Sequence, residues 1–330
     1  MEQEFVAQTW QRQLARFAPY IVAGLVFLII PAVLPSYAQS VMTRVLIFAL
    51  FAVSLDIIFG YAGLLSLGHA AFFGVGGYAN AILLTRYGFE SFWIVTPIAI
   101  VIIVVVAAVF GVIALRVSRV YFLLITFALS MLLVCVANTW RGMTGGADGI
   151  SFIPPPDLGL SWLSWNPASF YYFVFTSFII CFLLMRLVVN SPFGLSLQGI
   201  RESENRMRAL GYNVWLHRYI AFIISALFAG VAGILFTYHN TVISPWNLGL
   251  EMSALAMLIC ILGGLGTLWG PLIGAVVVIL IEYFSGIYMP ARWPLVLGGS
   301  FIICVALIPK GIAPSLRRLQ NRLLYGSVKN

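Results

Sequence analysis

Residues 92–115 read FWIVTPIAIVIIVVVAAVFGVIAL, an unbroken apolar stretch without a single charge. As a helix rising 1.5 Å per residue it covers about 36 Å, more than the ~30 Å hydrocarbon core of a bilayer. Only helices and closed barrels satisfy their backbone hydrogen bonds inside lipid. A continuous apolar run of this length is unlike the weak alternation of a barrel strand. The stretch therefore predicts a transmembrane helix, and comparable runs recur outward in both directions, as at 170–189. Over the 330 residues, 62% are hydrophobic and 8% charged, with a mean hydropathy of +1.03. A soluble domain carries about 25% charged residues, because its surface must be hydrated. The composition excludes such a domain and predicts an all-α integral membrane protein forming one transmembrane domain over residues 1–330.

About ten spans are expected: 19–34, 42–59, 64–84, 92–115 and 120–137, then 170–189, 216–238, 250–265, 271–287 and 295–308. An even number puts both termini on one side. That side receives 14 of the 18 Lys and Arg residues, while Arg44, Arg86, Arg141 and Arg292 fall on the other. Basic residues stay on the cytoplasmic side of short loops, so both termini are expected in the cytoplasm. The net charge of +8 then reflects topology rather than a nucleic-acid partner. No signal peptide is expected, since Glu2 and Glu4 precede the first span. Within residues 1–18, Val6, Trp10, Leu14 and Phe17 share one helical face apart from Arg12 and Arg16, the pattern of a helix lying in the interface. The cytoplasmic tail, 309–330, repeats it with Leu316, Leu319 and Leu323 beside Arg317, Arg318 and Arg322. Cys135, Cys181, Cys260 and Cys304 are scattered through the spans, without metal-site spacing, and no structural disulfide is expected.

Two polar connections are long enough to carry structure. The outer one, 138–169, holds Pro154, Pro155 and Pro156 and the interfacial aromatics Trp140, Trp162 and Trp165. The inner one, 190–215, is the most charged part of the chain. Ser191 and Pro192 read as an N-cap and first helical residue. In RESENRMRAL, 201–210, Glu202 with Arg206 and Glu204 with Arg208 make two i,i+4 pairs, each contributing ~0.2–0.5 kcal/mol. Gly211 reads as the stop. A charged helix held between two spans is either a solvated connector or a rigid handle for a motor outside the membrane. Glycine marks two further tracts, GYAGLLSLGHAAFFGVGGY at 60–78 and GGLGTLWGPLIG at 263–274. Glycine permits either close helix packing or a helix break, and interrupted helices often line a transporter's path.

Together these segments resemble the branched-chain amino-acid permeases of ABC importers. GIRESENRMRALGYNVWLHRYIAFIISALFAGVAGILF, from Gly199, is similar to that family's cytoplasmic coupling segment. GYAGLLSLGHAAFFGVGGYANAILL, TGGADGI (144–150) and ILGGLGTLWGPLIGA (261–275) are similar to its other landmarks, in the family's order. The resemblance implies a second, related permease, two cytoplasmic ATPase subunits and a periplasmic substrate-binding protein as partners, in the bacterial inner membrane. It implies that Arg201, Glu202, Glu204, Arg208 and Gly211 belong to the ATPase contact. One departure stands out: Asn205 and Arg206 follow Glu204 where the wider importer loop has small residues, and the spacing from Glu204 to Gly211 is one residue longer. The chain contains no G-x-x-x-x-G-K-[ST] loop, and its only lysines, Lys310 and Lys329, lie in no such setting. ATP is therefore expected on partner subunits, with no cofactor in this chain.

Asp56, His69 and Glu282 stand inside apolar spans, with Ser66 a turn before His69. Ionisable groups in a membrane are costly and usually face a cavity or a partner. They are candidates for the path of a zwitterionic amino acid, against the alternative that they bond neighbouring helices. His217 and His239 lie near span ends. Three scattered histidines without an acidic cluster predict no metal site, and no catalytic triad is arguable. A related importer of urea, short amides or other amino acids would carry the same motifs. In the other class, an ion-coupled carrier would use Asp56 and Glu282 as coupling residues.

Overall fold

A computed structural model describes residues 34–117, 119–159 and 165–289, together with Phe27, Leu28, scattered positions from 292 to 306 and residues 311–315. Helix α1 (Ser36–Asp56) continues into a π turn, Ile57–Tyr61, and is followed by α2 (His69–Thr85), α3 (Phe92–Ala114) and α4 (Arg119–Thr139). A one-turn helix, α5 (Arg141–Thr144), and strand β1 (Ile150–Ser151) lie in the outer connection. The second half holds α6 (Pro167–Asn190), α7 (Pro192–Glu202), α8 (Glu204–Ala209), α9 (Val214–Asn240), strand β2 (Val242–Ile243), α10 (Leu250–Gly263) and α11 (Gly270–Tyr288). Six of the described helices are long and apolar enough to cross a membrane: α1 with its π turn, α3, α4, α6, α9 and α11.

Helix α1 is the axis of the bundle. From Val45 to Ile58 its side chains are buried, Ser54 and Asp56 included, because α6, α9 and α11 pack around it. Such all-round apolarity suits a helix enclosed by others. Helices α3, α4 and α6 present one face inward and leave Val101, Val105, Leu124, Leu132, Ile180 and Leu187 exposed, as lipid-facing helices do. Helix α2 crosses α9 at backbone contact. A Cβ on Gly76 would stand 2.1 Å from Gly230 O, and one on Gly233 would stand 1.8 Å from Phe73 O. Small residues permit this approach, and packing replaces the hydrophobic effect as the force holding helices together in lipid.

The structure revises four of the expectations drawn from the sequence. The segment beginning at Leu64 becomes helical only at His69, and α10 ends at Gly263, so these two helices, at about 26 and 21 Å, fall short of a ~30 Å core. Positive φ at Gly63 (70°), Gly264 (113°) and Gly266 (71°) explains the breaks, since only glycine reaches this region freely. The helix expected through 201–210 is likewise two helices, parted at Ser203, whose φ of −156° is extended. Glu202 and Arg206 therefore lose their i,i+4 register, and no ion pair joins them among the described residues. The fold is nearly rather than wholly α, since Ile150 pairs with Ile243 and Ser151 with Val242 in a short antiparallel ladder. The expected spans 19–34 and 295–308, the interfacial helix 1–18 and the tail beyond Ser315 lie wholly or largely outside the described residues.

Gly233→Ala should overpack the α2–α9 crossing and cost about 1–3 kcal/mol. Gly286→Ala, on α11 with no heavy atom within 4 Å of the added methyl, should leave stability unchanged or slightly raised. Thermal unfolding of both variants in the same detergent checks the contrast.

Candidate functional site

The inner connection is a self-ordered unit. Ser191 caps α7 by accepting from the Gly194 N–H, with Pro192 in the first turn. Ser203 ends α7 and caps α8 through the Arg206 N–H, and Asn213 caps α9 through the Leu216 N–H at 3.0 Å. At the end of α8 the Tyr212 N–H bonds Met207 O at 3.1 Å and the Gly211 N–H bonds Arg208 O at 3.0 Å. With Gly211 at φ 88° this is a Schellman stop, as its glycine predicts. Glu204 bridges two arginines, Arg208 at 2.6 Å and Arg218 of α9 at 3.0 Å, tying the short helix to a long one. The His217 ring stacks on Phe193. Arg201, Glu202, Arg206, Arg208 and Leu210 are all exposed, and all but Arg201, whose guanidinium reaches inward, form a charged outer face with an apolar tip.

Arg201 turns the other way. Its Nη1 donates to Gly60 O in the π turn after α1, and its stem lies over Gly63, where a Cβ would come 2.8 Å from Arg201 Cγ. Across the same spot the Gly266 N–H donates to Asp56 Oδ1 at 2.7 Å. Gly60 has no room for a side chain, because a Cβ there would stand 2.0 Å from Asp56 Oδ1 and 2.4 Å from Gly266 N. The two glycine tracts read from the sequence thus meet each other, with Asp56 and Arg201 as the charged groups at the junction. Asp56 is fully buried, and its Oδ2 has no hydrogen-bond partner among the described residues.

His69, at the first turn of α2, is within hydrogen-bond distance of Ser54 Oγ, 2.9 Å from its Nε2, and its ring stacks on Phe51. Ser66, in the non-helical segment before it, is buried and its hydroxyl has no hydrogen-bond partner among the described residues. Asp56 ends α1, His69 meets α1 through Ser54 and Phe51, and all three of Asp56, Ser66 and His69 are buried. Glu282 is elsewhere. It pairs with Arg44 at 2.8 Å, and the Arg44 guanidinium lies over Phe48. Twelve residues of α1 separate Arg44 from Asp56, about 18 Å along the axis.

Sequence reasoning missed the hydroxyls that fasten the interior. Ser225 Oγ donates to Ser54 O at 2.5 Å, Ser253 Oγ accepts from the Ala70 N–H at 2.9 Å, and Ser130 Oγ donates to Leu248 O at 2.6 Å. Each stands in an apolar helix, where a polar residue signals a bond to a neighbouring helix, so the signal was present. The partner role of Arg44 was also missed, because its position near a span end suggested only topology.

A family model described as the permease component of branched-chain amino acid transport systems matches residues 37–306. The chain belongs to this permease family. The match contains nearly all of α1, both glycine tracts and the inner connection. The high-affinity branched-chain amino acid transport system permease protein LivM of Escherichia coli K12 is 28% identical over 337 residues, covering 94% of this chain and 78% of that protein. The corresponding LivH permease of the same organism is 24% identical over 285 residues, 80% of this chain and 90% of that one. A probable LivM of Methanocaldococcus jannaschii is 24% identical over 280 residues, 73% and 79% of the two chains. No solved structure matches. As a permease of this family, with six described helices able to span lipid, the protein is a multi-pass membrane protein whose role is transport.

The Arg44–Glu282 pair is half-buried, with 38% and 17% of the two side chains exposed. Glu282→Ala in this permease should cost about 1 kcal/mol, between the values for exposed and enclosed pairs. Arg44→Glu combined with Glu282→Arg should recover most of what either reversal loses, measured as folded yield and melting temperature.

Proposed function

We propose that this permease is the membrane-spanning subunit of an ATP-driven importer that carries branched-chain or similar hydrophobic amino acids across the bacterial inner membrane by alternating access. The observation that carries the reading is the coupling segment. Residues 191–213 form two capped helices with a Schellman stop, joined rigidly to α6 on one side and to α9 on the other. A solvated connector needs no such order, whereas a handle for an external motor does. Glu202, Arg206, Arg208 and Leu210 supply its outward face, with Glu204 and Gly211 holding the shape of that face. ATP binds to two separate ATPase subunits, and the chain itself carries no cofactor.

The topology follows. Arg116, Arg201, Arg208 and Arg218 collect at one end of the bundle and Arg44 and Arg141 at the other, so the coupling end is cytoplasmic. The chain crosses the membrane about ten times with both termini inside. The short helices α2 and α10 complete two crossings together with the buried non-helical backbone beside them, which a membrane protein tolerates when protein encloses it. The relatives named LivM and LivH support pairing with a second, related permease, and a periplasmic binding protein would deliver the cargo. Asp56, Ser66 and His69 then lie near the cytoplasmic part of the path, closed in this state, and Glu282 toward the periplasmic side.

Purification of the tagged chain from native membranes in mild detergent, with mass spectrometry of its companions, tests this. The expected result is a second permease and one or two ATPases with phosphate-binding loops, and ATP-dependent leucine uptake once the complex and its binding protein are reconstituted. A chain that purifies alone and transports in liposomes under an ion gradient would make it a secondary carrier.

A further inference from the structure

The junction of the two glycine tracts lies where the coupling segment meets the transmembrane helices. Arg201 is the last basic residue of α7, one position before that helix ends. Its guanidinium reaches the Gly60 carbonyl and borders Gly266, where a Cβ would stand 3.2 Å from Arg201 Nη1. Gly60 lies in the π turn that ends α1, and Gly266 in the non-helical link between α10 and α11. One side chain of the coupling segment therefore touches both breaks, and the two breaks hold each other through Asp56 and the Gly266 N–H.

The bonding is suited to release. The π turn leaves carbonyls without their usual i+4 donors, and Arg201 supplies a donor to one of them from outside the helix. A buried carboxyl group depends on its hydrogen bonds; Asp56 Oδ1 accepts from the Gly266 N–H, while Oδ2 has no hydrogen-bond partner among the described residues. Withdrawal of Arg201 removes both the donor at Gly60 and the positive charge near Asp56. Two helix breaks are then loosened by one displacement. The absence of side chains at Gly60, Gly63 and Gly266 is what lets the guanidinium and the carboxylate approach.

We propose that Arg201 is a positioning residue that latches the cytoplasmic closure of the path, holding the α1 and α10–α11 breaks together until the coupling segment moves. The proposal rests on reading residues 190–215 as the ATPase-coupling segment and assigns Arg201 to the inner face of that segment rather than to the ATPase contact. Glu202, Arg206 and Arg208 keep the outer face. Coupling then consists of pulling one guanidinium out of a glycine-lined seat.

The test combines Arg201→Gln and Arg201→Lys with a reporter, Ala62→Cys. Ala62 is fully buried beside the junction, and its labelling by a membrane-impermeant maleimide from the cytoplasmic side is read against the parent chain with its native cysteines. Arg201→Gln should raise labelling at position 62 several-fold in the complex without nucleotide. It should leave recovery of the ATPase subunits unchanged and lower the amount of amino acid carried per ATP hydrolysed at least tenfold. Arg201→Lys, which keeps the charge and a donor, should restore much of the protection and coupling. Asp56→Ala, which removes the other half of the latch, should expose position 62 in the same way. Unchanged labelling and coupling in Arg201→Gln would overturn the latch, as would loss of the ATPase subunits from an otherwise folded Arg201→Gln complex. Failure of the wild-type chain to bring down any ATPase would instead overturn the importer reading, and the labelling result would then still report whether Arg201 holds the junction closed.

Discussion

Backbone that leaves the helix inside a bilayer must find its hydrogen bonds within the protein, and the architecture is arranged around that requirement. The chain departs from helix at three enclosed places: after α1, before α10, and between α10 and α11. Each departure is covered. The segment before α2 lies under α4, where a Cβ on Gly68 would stand 2.0 Å from Thr126 O. The turn Pro245–Leu248 is held by its own capping box and by Ser130. The link at 264–269 receives Asp56. Enclosure of this kind needs close approach, which explains why the glycines cluster where the chain is irregular rather than being spread evenly through the spans.

The same requirement links the two ends of the molecule differently. Toward the face bearing Arg44, closure is built from an ion pair, Arg44 with Glu282, and a two-strand ladder that joins the outer connection to the end of α9. Toward residues 190–215 it is built from backbone groups bonded by the side chains of Arg201 and Asp56. An ion pair on opposing helices resists separation and re-forms readily. Backbone groups satisfied by a side chain from another segment depend on where that segment is. The second design makes the closure at that end conditional on the position of α7.

Much of this was legible in the sequence. Apolar runs in 92–115 and 170–189 needed no partner to be recognised, because length and composition alone decide a span. The caps at Ser191 and Gly211 were legible because they depend on residues adjacent in the chain. The break at Ser203 was not, because the i,i+4 charges of 201–210 argue for one helix and contribute only a few tenths of a kcal/mol each, too little to oppose the packing of α7 against α8 through Gly199 and Met207. The glycine tracts announced either close packing or a break without distinguishing them. The structure shows both uses, with packing at Gly76 and Gly233 and breaks at Gly63, Gly264 and Gly266.

The partners of the charged residues were the least legible part, since they lie far apart in the chain. Asp56 and Gly266 are 210 positions apart, and Arg44 and Glu282 are 238 apart. Nothing local distinguishes an aspartate that faces a path from one that fastens a helix break. In this structure Asp56 does the second, accepting from the Gly266 N–H. Under the proposed latch, a carboxyl group that holds two helix breaks together is uncovered only when they part. The bond that Asp56 accepts from the Gly266 N–H accounts for an ionisable group within the buried, largely apolar stretch 45–58.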